Sequence, residues 1–392
     1  MPRLAAWTAC ACILVTCGLA AAQQTRTPRP KAPECYNAAL LHLATGNYDE
    51  ACAAARQANS LRPKYKPYEQ LLAVLEPIAK RNKLRTYALA AKEKDQSSVE
   101  RLAQYLKKGA EDEESRAWLL YCWITDRIAY DVESFLSGEY AKKDYSPANV
   151  LKQRQAVCDG YSKLYTAVGK EMGLDVVSIT GHAKGLPVNK FSLDDPKCGH
   201  TWNAVKLAGK WYLIDATWGA GWVKDGKFDK GFVEYYFCPP PQALILTHFP
   251  SKQEDQLLTV PVSPAQFTSW PFCNPASLRA LLVAGFDPLA IQKKLSQNTQ
   301  FVEGYPVPFP LKVQAPLERE LDSRKSHTIK VEALAISDLA IIHDGKWRFA
   351  TKRGDTFTCI CRGMEGDILI AIKPFGEKEY KGILKYQGSK GR

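Results

Sequence analysis

The amino-acid sequence predicts an α+β protein in which helical segments flank an antiparallel sheet. Apolar residues recur at helical spacing through much of residues 34–173, whereas 176–217 contains short segments typical of strands. From about residue 328 apolar and polar residues alternate, with turn signals at roughly ten-residue spacing. The 392 residues exceed one ordinary domain, and 46% of them are hydrophobic. We therefore expect two or three domains.

A helix pair is predicted near the amino terminus. Gly46 and Asn47 indicate a turn, Ala51 and Ala58 permit close helix approach, and Pro63 ends the second helix. The pattern resembles a single tetratricopeptide repeat, and an ordinary helical hairpin explains it equally well. One repeat cannot bury its own apolar face, so we expect it to pack on the next domain or to form a helical cap.

Changes in composition predict six segments. They are a signal peptide (1–22), a disordered spacer (23–33), a helical N-terminal region (34–95), a central domain (97–262), a helical connector (263–299) and a small β-sandwich (300–392).

The first residues predict export. One positive charge, Arg3, precedes a mostly apolar run over residues 4–19, and three alanines at 20–22 fit a cleavage site. The run is short and interrupted by Thr and Cys, which disfavours a membrane anchor. Lipid attachment at Cys17 is a further alternative, since residues 14–17 loosely resemble a lipobox. We expect a secreted, periplasmic or cell-envelope protein without a transmembrane segment.

The chain is basic, with a formal net charge of +12 that falls to +11 when Arg3 leaves with residues 1–22. This excess favours anionic cell-wall or envelope polymers or acidic proteins, and nucleic acid is not expected for an exported chain. The basic residues are dispersed, so a generally solvated basic surface is the simpler interpretation.

Cysteine content suggests disulfides rather than metal. Twelve cysteines are present, and nine remain after the three within residues 1–22 are removed. Export permits disulfides, so one free thiol and up to four bridges are expected, with Cys158 free and Cys35 and Cys52 able to pair across two helices. No CxxC pair occurs, and Cys359 and Cys361 lack zinc-site spacing. We expect no metal and no cofactor.

A thiol, an imidazole and a carboxylate lie in three short blocks rich in aromatic residues and glycine, at Cys158, His200 and Asp215. The thiolate is the attacking form of cysteine, an imidazole can take its proton, and a carboxylate orients the imidazole and sets its tautomer. This set predicts attack on an amide carbonyl through a thioester.

Local patterns predict that the three residues lie close together in the folded protein. Cys158 starts a predicted helix, whose N-terminal amides favour the thiolate and offer an N–H to an oxyanion. His200 and Asp215 lie on two predicted strands, 200–207 and 210–217, joined at Ala208-Gly209. A register with position 207 opposite 208 places His200 opposite Asp215 on one sheet face.

Five further residues are candidates for supporting roles. Trp202 and Trp218 are expected to exclude water by packing, and Asn203 to support the strand that carries His200. Gln153 and Gln155 precede Cys158 and are candidates for a second oxyanion donor by residue type alone.

The blocks around these residues resemble the transglutaminase-like superfamily of papain-like thiol enzymes, and specifically its kyphoscoliosis-peptidase-like branch. The resemblance covers about residues 97–390 and rests on the segments 127–131, 157–162, 200–205, 211–221 and 247–250. It implies a helical nucleophile lobe packed on an antiparallel sheet, Cys158 as nucleophile, His200 as general base and acid, and Asp215 as orienting carboxylate. It also implies a β-sandwich after the central domain. The polar insertion at 182–200 departs from the pattern and is a candidate lid.

Three functions remain open at this stage. The first is a secreted cysteine peptidase or amidase acting on protein or peptide amides, and the second is a transglutaminase in which an amine replaces water. The third is a non-catalytic extracellular binding or scaffold module. Water and amine compete for the same acyl-enzyme, so the sequence does not separate the first two.

Overall fold

The computed structural model describes residues 30–185, 191–297 and 299–390. The predicted signal peptide, Cys17 and residues 23–29 of the predicted spacer lie outside these ranges. Across the ranges described, no helix is both long and apolar enough to span a bilayer.

Three helices open the described chain: α1 (Ala32–Ala44), α2 (Tyr48–Leu61) and α3 (Lys66–Leu89). Gly46, at φ +77°, makes the predicted turn between the first two. The first helix starts inside the predicted spacer, where Pro33 is an early helical residue that needs no amide hydrogen bond. Buried Ala51 and Ala55 pack into the same core as residues of the C-terminal sheets, so the helical region is not a separate cap.

The central part contains short helices and two-stranded pieces around one four-stranded sheet. Its helices are α4 (Val99–Lys108), α5 (Glu113–Arg127), α6 (Val132–Ser137), α7 (Pro147–Gln153), α8 (Cys158–Glu171), α9 (Ala216–Gly219) and α10 (Pro241–Leu244). Its strands are β1 (Ala129–Tyr130), β2 (Gln155–Ala156), β3 (Val176–Ala183), β4 (Gly199–Leu207), β5 (Lys210–Ile214), β6 (Gly221–Lys224), β7 (Lys227–Lys230) and β8 (His248–Pro250).

The helix boundaries follow local signals. Ser98 caps α4 by accepting a hydrogen bond from the amide of Arg101 at 3.3 Å. The next helix, α5, stops at Arg127, because Ala129 and Tyr130 pair in parallel with Gln155 and Ala156. The cysteine helix starts at Cys158 as predicted, and Gly173 at φ +77° follows its end.

The four-stranded sheet is antiparallel, in the order β5-β4-β3-β8. The predicted register of its hairpin is wrong, and the observed register is shifted from it by two residues. Leu207 pairs with Lys210 rather than with Ala208, because Ala208 (φ +47°) and Gly209 (φ +80°) form a two-residue turn outside the ladder. Asp215 is therefore not opposite His200 but lies just beyond the end of β5.

The C-terminal part begins with α11 (Pro264–Ser269), α12 (Pro275–Val283) and α13 (Pro288–Ser296). Ten strands follow: β9 (Glu303–Gly304), β10 (Lys312–Gln314), β11 (Glu320–Asp322), β12 (His327–Glu332), β13 (Ile336–His343), β14 (Lys346–Phe349), β15 (Thr351–Arg353), β16 (Thr356–Cys361), β17 (Gly366–Pro374) and β18 (Lys381–Ser389). They form two sheets, β10-β12-β16-β15 and β11-β18-β17-β13-β14, with β9 beside β18. Within these two sheets, as far as the described residues show, the β11–β18 pair is parallel and the other pairs are antiparallel. Apolar side chains of both sheets share one core.

The expected disulfides are not found among the residues that the structure describes. All nine cysteines of the described chain are free thiols, six of them buried. Cys35 and Cys52, the pair expected to bridge α1 and α2, pack into different apolar clusters.

Candidate functional site

Cys158 is the first residue of α8. Its thiol therefore lies at the end of the helix where the backbone N–H groups have no hydrogen-bond partner within the helix. The amides of Gly160 and Tyr161 donate to the carbonyl of Val157 at 2.9 and 3.2 Å. A methyl group at Gly160 would lie 2.6 Å from the side chain of Ala156, so glycine permits this tight start. Cys158 is half-buried, so its thiol is partly open to solvent.

His200 and Asp215 are hydrogen-bonded in the interior beside that helix start. Nε2 of His200 lies 2.7 Å from Oδ2 of Asp215, and their side chains are 7% and 0% exposed. Asp215 caps α9, and its Oδ1 accepts hydrogen bonds from the amides of Thr217 and Trp218 at 2.8 and 2.9 Å. Its own amide donates to the carbonyl of Tyr236 at 3.0 Å. Asp215 is thus fixed through both its side chain and its backbone amide, although it lies outside the predicted register.

A second histidine, for which the sequence patterns predicted no role, completes the cluster. His248 begins β8, and its Nε2 lies 3.0 Å from the same Oδ2 of Asp215. Its Nδ1 lies 2.8 Å from the hydroxyl of Thr247. The available signal was the segment 247–250, which supported the family resemblance without a chemical assignment. The paired residues of β3 and β8 are 65 to 69 positions apart in the chain, so local patterns do not show this pairing.

The protonation states follow from these contacts. Burial opposes charge on His200, but Asp215 and a hydrogen bond with Cys158 raise its pKa to about 10. Burial also opposes charge on Asp215, yet the two histidines hold its pKa well below the usual range. Burial lowers the pKa of His248 despite its bond to Asp215. An ionised carboxylate only accepts hydrogen bonds, so both histidines donate their Nε2–H groups to it.

Two nitrogens remain for other partners. Nδ1 of His200 is the atom left to exchange a proton with Cys158, since Nε2 is bound to Asp215. Nδ1 of neutral His248 accepts a hydrogen bond from the hydroxyl of Thr247. The arrangement can therefore take a proton from a thiol, hold it on an imidazole and return it to a leaving group.

The predicted supporting residues separate into two groups. Trp202 is buried with its ring centroid 5.8 Å from that of His200, and half-buried Trp218 lies 5.8 Å from His200 and 4.4 Å from His248. Both rings lie beside the imidazoles. Gln153 and Gln155 are exposed, and neither belongs to the buried cluster.

Asn203 acts as a brace for the strand of His200. Its amide donates to the carbonyls of Ser162 and Val177 and to the hydroxyl of Thr166 at 3.0 to 3.3 Å, which ties β4 to α8 and β3. Of the insertion predicted as a lid, Lys184 and Phe191 pack against Phe267, and 186–190 lie outside the described residues.

His200, Asp215 and His248 are also the residue types of a metal site, with their ligand atoms within 4.8 Å of one another. The three side chains are already joined by direct hydrogen bonds of 2.7 and 3.0 Å. A metal ion would have to displace both bonding protons and separate the nitrogens from the carboxylate. The observed geometry suits a proton-transfer cluster better than a metal centre.

Fold and site together define a class of protein: an α+β protein with a thiol at a helix start beside a buried imidazole–carboxylate pair. Residues 100–216 match the family model of the transglutaminase-like superfamily. They form a transglutaminase-like domain, and relatives in the kyphoscoliosis-peptidase branch support the same assignment.

The curated relatives match over a limited stretch. Kyphoscoliosis peptidase of Mus musculus is 33% identical over 173 residues, which cover 44% of this chain and 26% of that protein. The Homo sapiens protein is 32% identical with the same coverage. Hillarin of Drosophila melanogaster is 27% identical over 47% of this chain and 24% of its own length. The matches thus span about a quarter of these relatives.

Solved structures also match. A structure described as a TGase has a TM-score of 0.25 and 15% identity, and covers 46% of this chain and 41% of that one. Red sea bream transglutaminase has a TM-score of 0.25 and 10% identity, over 74% of this chain and 55% of its own.

Replacing His248 by Phe is expected to slow any reaction in which His200 takes the proton of Cys158 by roughly tenfold, the effect of losing one hydrogen bond to a charged group. With one donor fewer on Oδ2, more of the Asp215 charge acts on His200, so the pKa of His200 should rise further. Histidine-selective NMR titration of the variant measures that pKa. His248→Gln, which retains a donor, should restore part of the rate. A lower unfolding temperature with an unchanged His200 titration would contradict this role.

Proposed function

We propose that this protein is an exported cysteine peptidase or amidase that attacks protein or peptide amides through a thioester on Cys158. The observation that carries the proposal is the position of His200, whose Nε2 is bound to the Asp215 carboxylate while its other nitrogen is available to the thiol. The transglutaminase-like domain and the similarity to kyphoscoliosis peptidase support the same chemistry. Export rests on the leader-like residues 1–22.

The reaction follows from the proton positions. Nδ1 of His200 takes the thiol proton, and the thiolate of Cys158 attacks the carbonyl carbon, whose oxygen becomes an oxyanion. The amide N–H of Cys158 at the helix start is the candidate donor to that oxyanion. The imidazolium then returns its proton to the leaving amine as the C–N bond breaks, which leaves a thioester.

Release of the acyl group uses the same imidazole. His200 takes a proton from water, the oxygen attacks the thioester, and the thiolate leaves and is reprotonated. An amine that attacks in place of water gives transamidation, the alternative function. Asp215 remains ionised throughout and stabilises the imidazolium.

The deciding experiment incubates the protein with an extracellular protein and peptidoglycan mixture plus a biotinylated primary amine, followed by mass spectrometry of the products. New peptide termini indicate a peptidase, conversion of Gln to Glu an amidase, and amine adducts a transglutaminase. The Cys158→Ala variant is incubated in the same way as the control, and its products are compared with those of the wild type. Identical products from both proteins would refute the proposal and favour a binding or scaffold role, in which case the variant should also restore function fully in a knockout.

A further inference from the structure

A cavity of about 690 Å³ lies between α3, the segment 232–240 and the proline-rich segment 305–311. Its volume is in the range of sites that bind small organic ligands, roughly 300–1,000 Å³. None of Cys158, His200 and Asp215 lines it. The cavity is therefore separate from the proposed catalytic site.

The cavity wall carries an excess of positive charge. Arg81, Arg85 and Arg279 line it together with a single carboxylate, Glu234. Glu234 is already paired with Arg81 at 2.7 Å. Within the described ranges, neither Arg85 nor Arg279 has a carboxylate partner at ion-pair distance. Two cationic side chains at the wall thus lack an anion.

Two lining side chains have buried polar atoms with no hydrogen-bond partner among the described residues. They are Nε of Arg85 and the hydroxyl of Tyr235. Buried polar atoms in folded proteins normally have a partner. Burial raises the pKa of Tyr235 although Arg279 opposes the shift, so the hydroxyl is a donor at neutral pH.

The shape of the donors selects the kind of anion. The guanidinium carbon of Arg85 lies 4.3 Å from the ring centroid of Phe232, so one face of the planar group is covered. A guanidinium stacked in this way still offers its in-plane N–H groups, which match the two oxygens of a carboxylate. Trp118, Phe237 and Pro306 add apolar wall beside these donors.

We propose that this cavity binds a carboxylate attached to an apolar body, of the kind found at the C-terminus of a hydrophobic peptide. Arg85, Arg279 and the Tyr235 hydroxyl are the groups that recognise the carboxylate. The aromatic and proline side chains contact the body of the ligand. This assignment does not depend on Cys158 chemistry.

The test is calorimetric titration of the full chain with N-acetyl-Leu-Phe bearing a free carboxylate, compared with the same dipeptide as its C-terminal amide. The Cys158→Ala background prevents the proposed thiol chemistry from consuming either probe. The acid is expected to bind with one-to-one stoichiometry, and the amide at least about tenfold more weakly. Equal affinity for both probes, or no heat with the acid at millimolar concentration, would overturn the proposal.

Variants assign the contacts. Arg85→Gln and Arg279→Gln should each weaken binding of the acid about tenfold, whereas Arg353→Gln, at an exposed position on β15, should leave it unchanged. Tyr235→Phe separates binding from folding, because removing an unpartnered buried hydroxyl should not lower the unfolding temperature. The variant should nevertheless weaken binding of the dipeptide acid several-fold. Wild-type affinity in all three cavity variants would also overturn the assignment.

Discussion

Replacing Cys158 by Ala is expected to abolish amide cleavage and to remove labelling by iodoacetamide at neutral pH, while the protein still folds. Alanine is a strong helix former, and the substitution removes one sulfur atom from a half-buried position at the start of α8. The attacking atom is lost, so no thioester can form. Mass spectrometry of the intact protein after alkylation measures the labelling.

The other thiols make this experiment selective. Burial raises the pKa of seven of them, namely Cys52, Cys122, Cys198, Cys238, Cys273, Cys359 and Cys361. Protonated thiols are poor nucleophiles, so these residues should react slowly at pH 7. Cys238→Ala is the matched control, since Cys238 is also half-buried but its pKa is raised to about 12. Equal labelling of wild type and Cys158→Ala would remove Cys158 from its proposed role.

Replacing Asp215 by Asn is expected to slow acylation about 10³- to 10⁴-fold with the thiol still present. An amide oxygen can still accept from the amides of Thr217 and Trp218. The Nδ2 group, however, would face the Nε2–H groups of His200 and His248, which are donors as well. Both imidazoles must then change tautomer, and Nδ1 of His200 becomes protonated and unable to accept the thiol proton. Acylation at the wild-type rate would contradict the role of Asp215.

The same variant tests the ion pair through the pH dependence of stability. The pKa of His200 is raised from 6.5 to about 10, so its contribution to the free energy of unfolding is complete below pH 6.5 and lost as pH rises through about 10. The pKa of Asp215 is lowered, so its contribution is present above its usual value and lost in acid. The two pKa shifts describe the same buried ion pair. Breaking that pair lowers the free energy of unfolding by about 3–5 kcal/mol.

Urea denaturation of wild type and Asp215→Asn measures this contribution. The difference in free energy of unfolding should be largest near pH 6 and shrink towards pH 10.5, where His200 is neutral in both proteins. A difference that stays constant between these pH values would show that the His200–Asp215 ion pair does not account for the lost stability. His200→Gln is a suitable comparison, because it removes the titrating group and keeps a donor to Asp215.

Local signals explain the predictions that the structure confirms. The start of α8 at Cys158, the turn at Gly46 and the hairpin turn at Ala208-Gly209 depend on residues a few positions apart. The register error arose because sequence does not show whether a two-residue turn belongs to the ladder. His200 and Asp215 still meet, because Asp215 leaves the strand to cap α9 and its side chain turns back to His200.

The expected disulfides illustrate the opposite case. The expected export of the chain would permit bridges among its nine remaining cysteines, but pairing depends on which thiols the fold brings together. In the described residues the buried thiols pack as apolar side chains. Sequence spacing alone therefore overestimated their number.

The sequence by itself identified the candidate residues of the site, because a thiol at a helix start and a His–Asp hairpin are encoded within short segments. Only the tertiary structure decided that His248 shares the Asp215 carboxylate, since β3 and β8 pair across more than 60 intervening positions, between Ala183 and His248. It also decided that Arg85, Arg279 and Tyr235 line one cavity, because they come from segments far apart in the chain. Local patterns specify elements, whereas contacts between distant segments depend on how the whole chain packs.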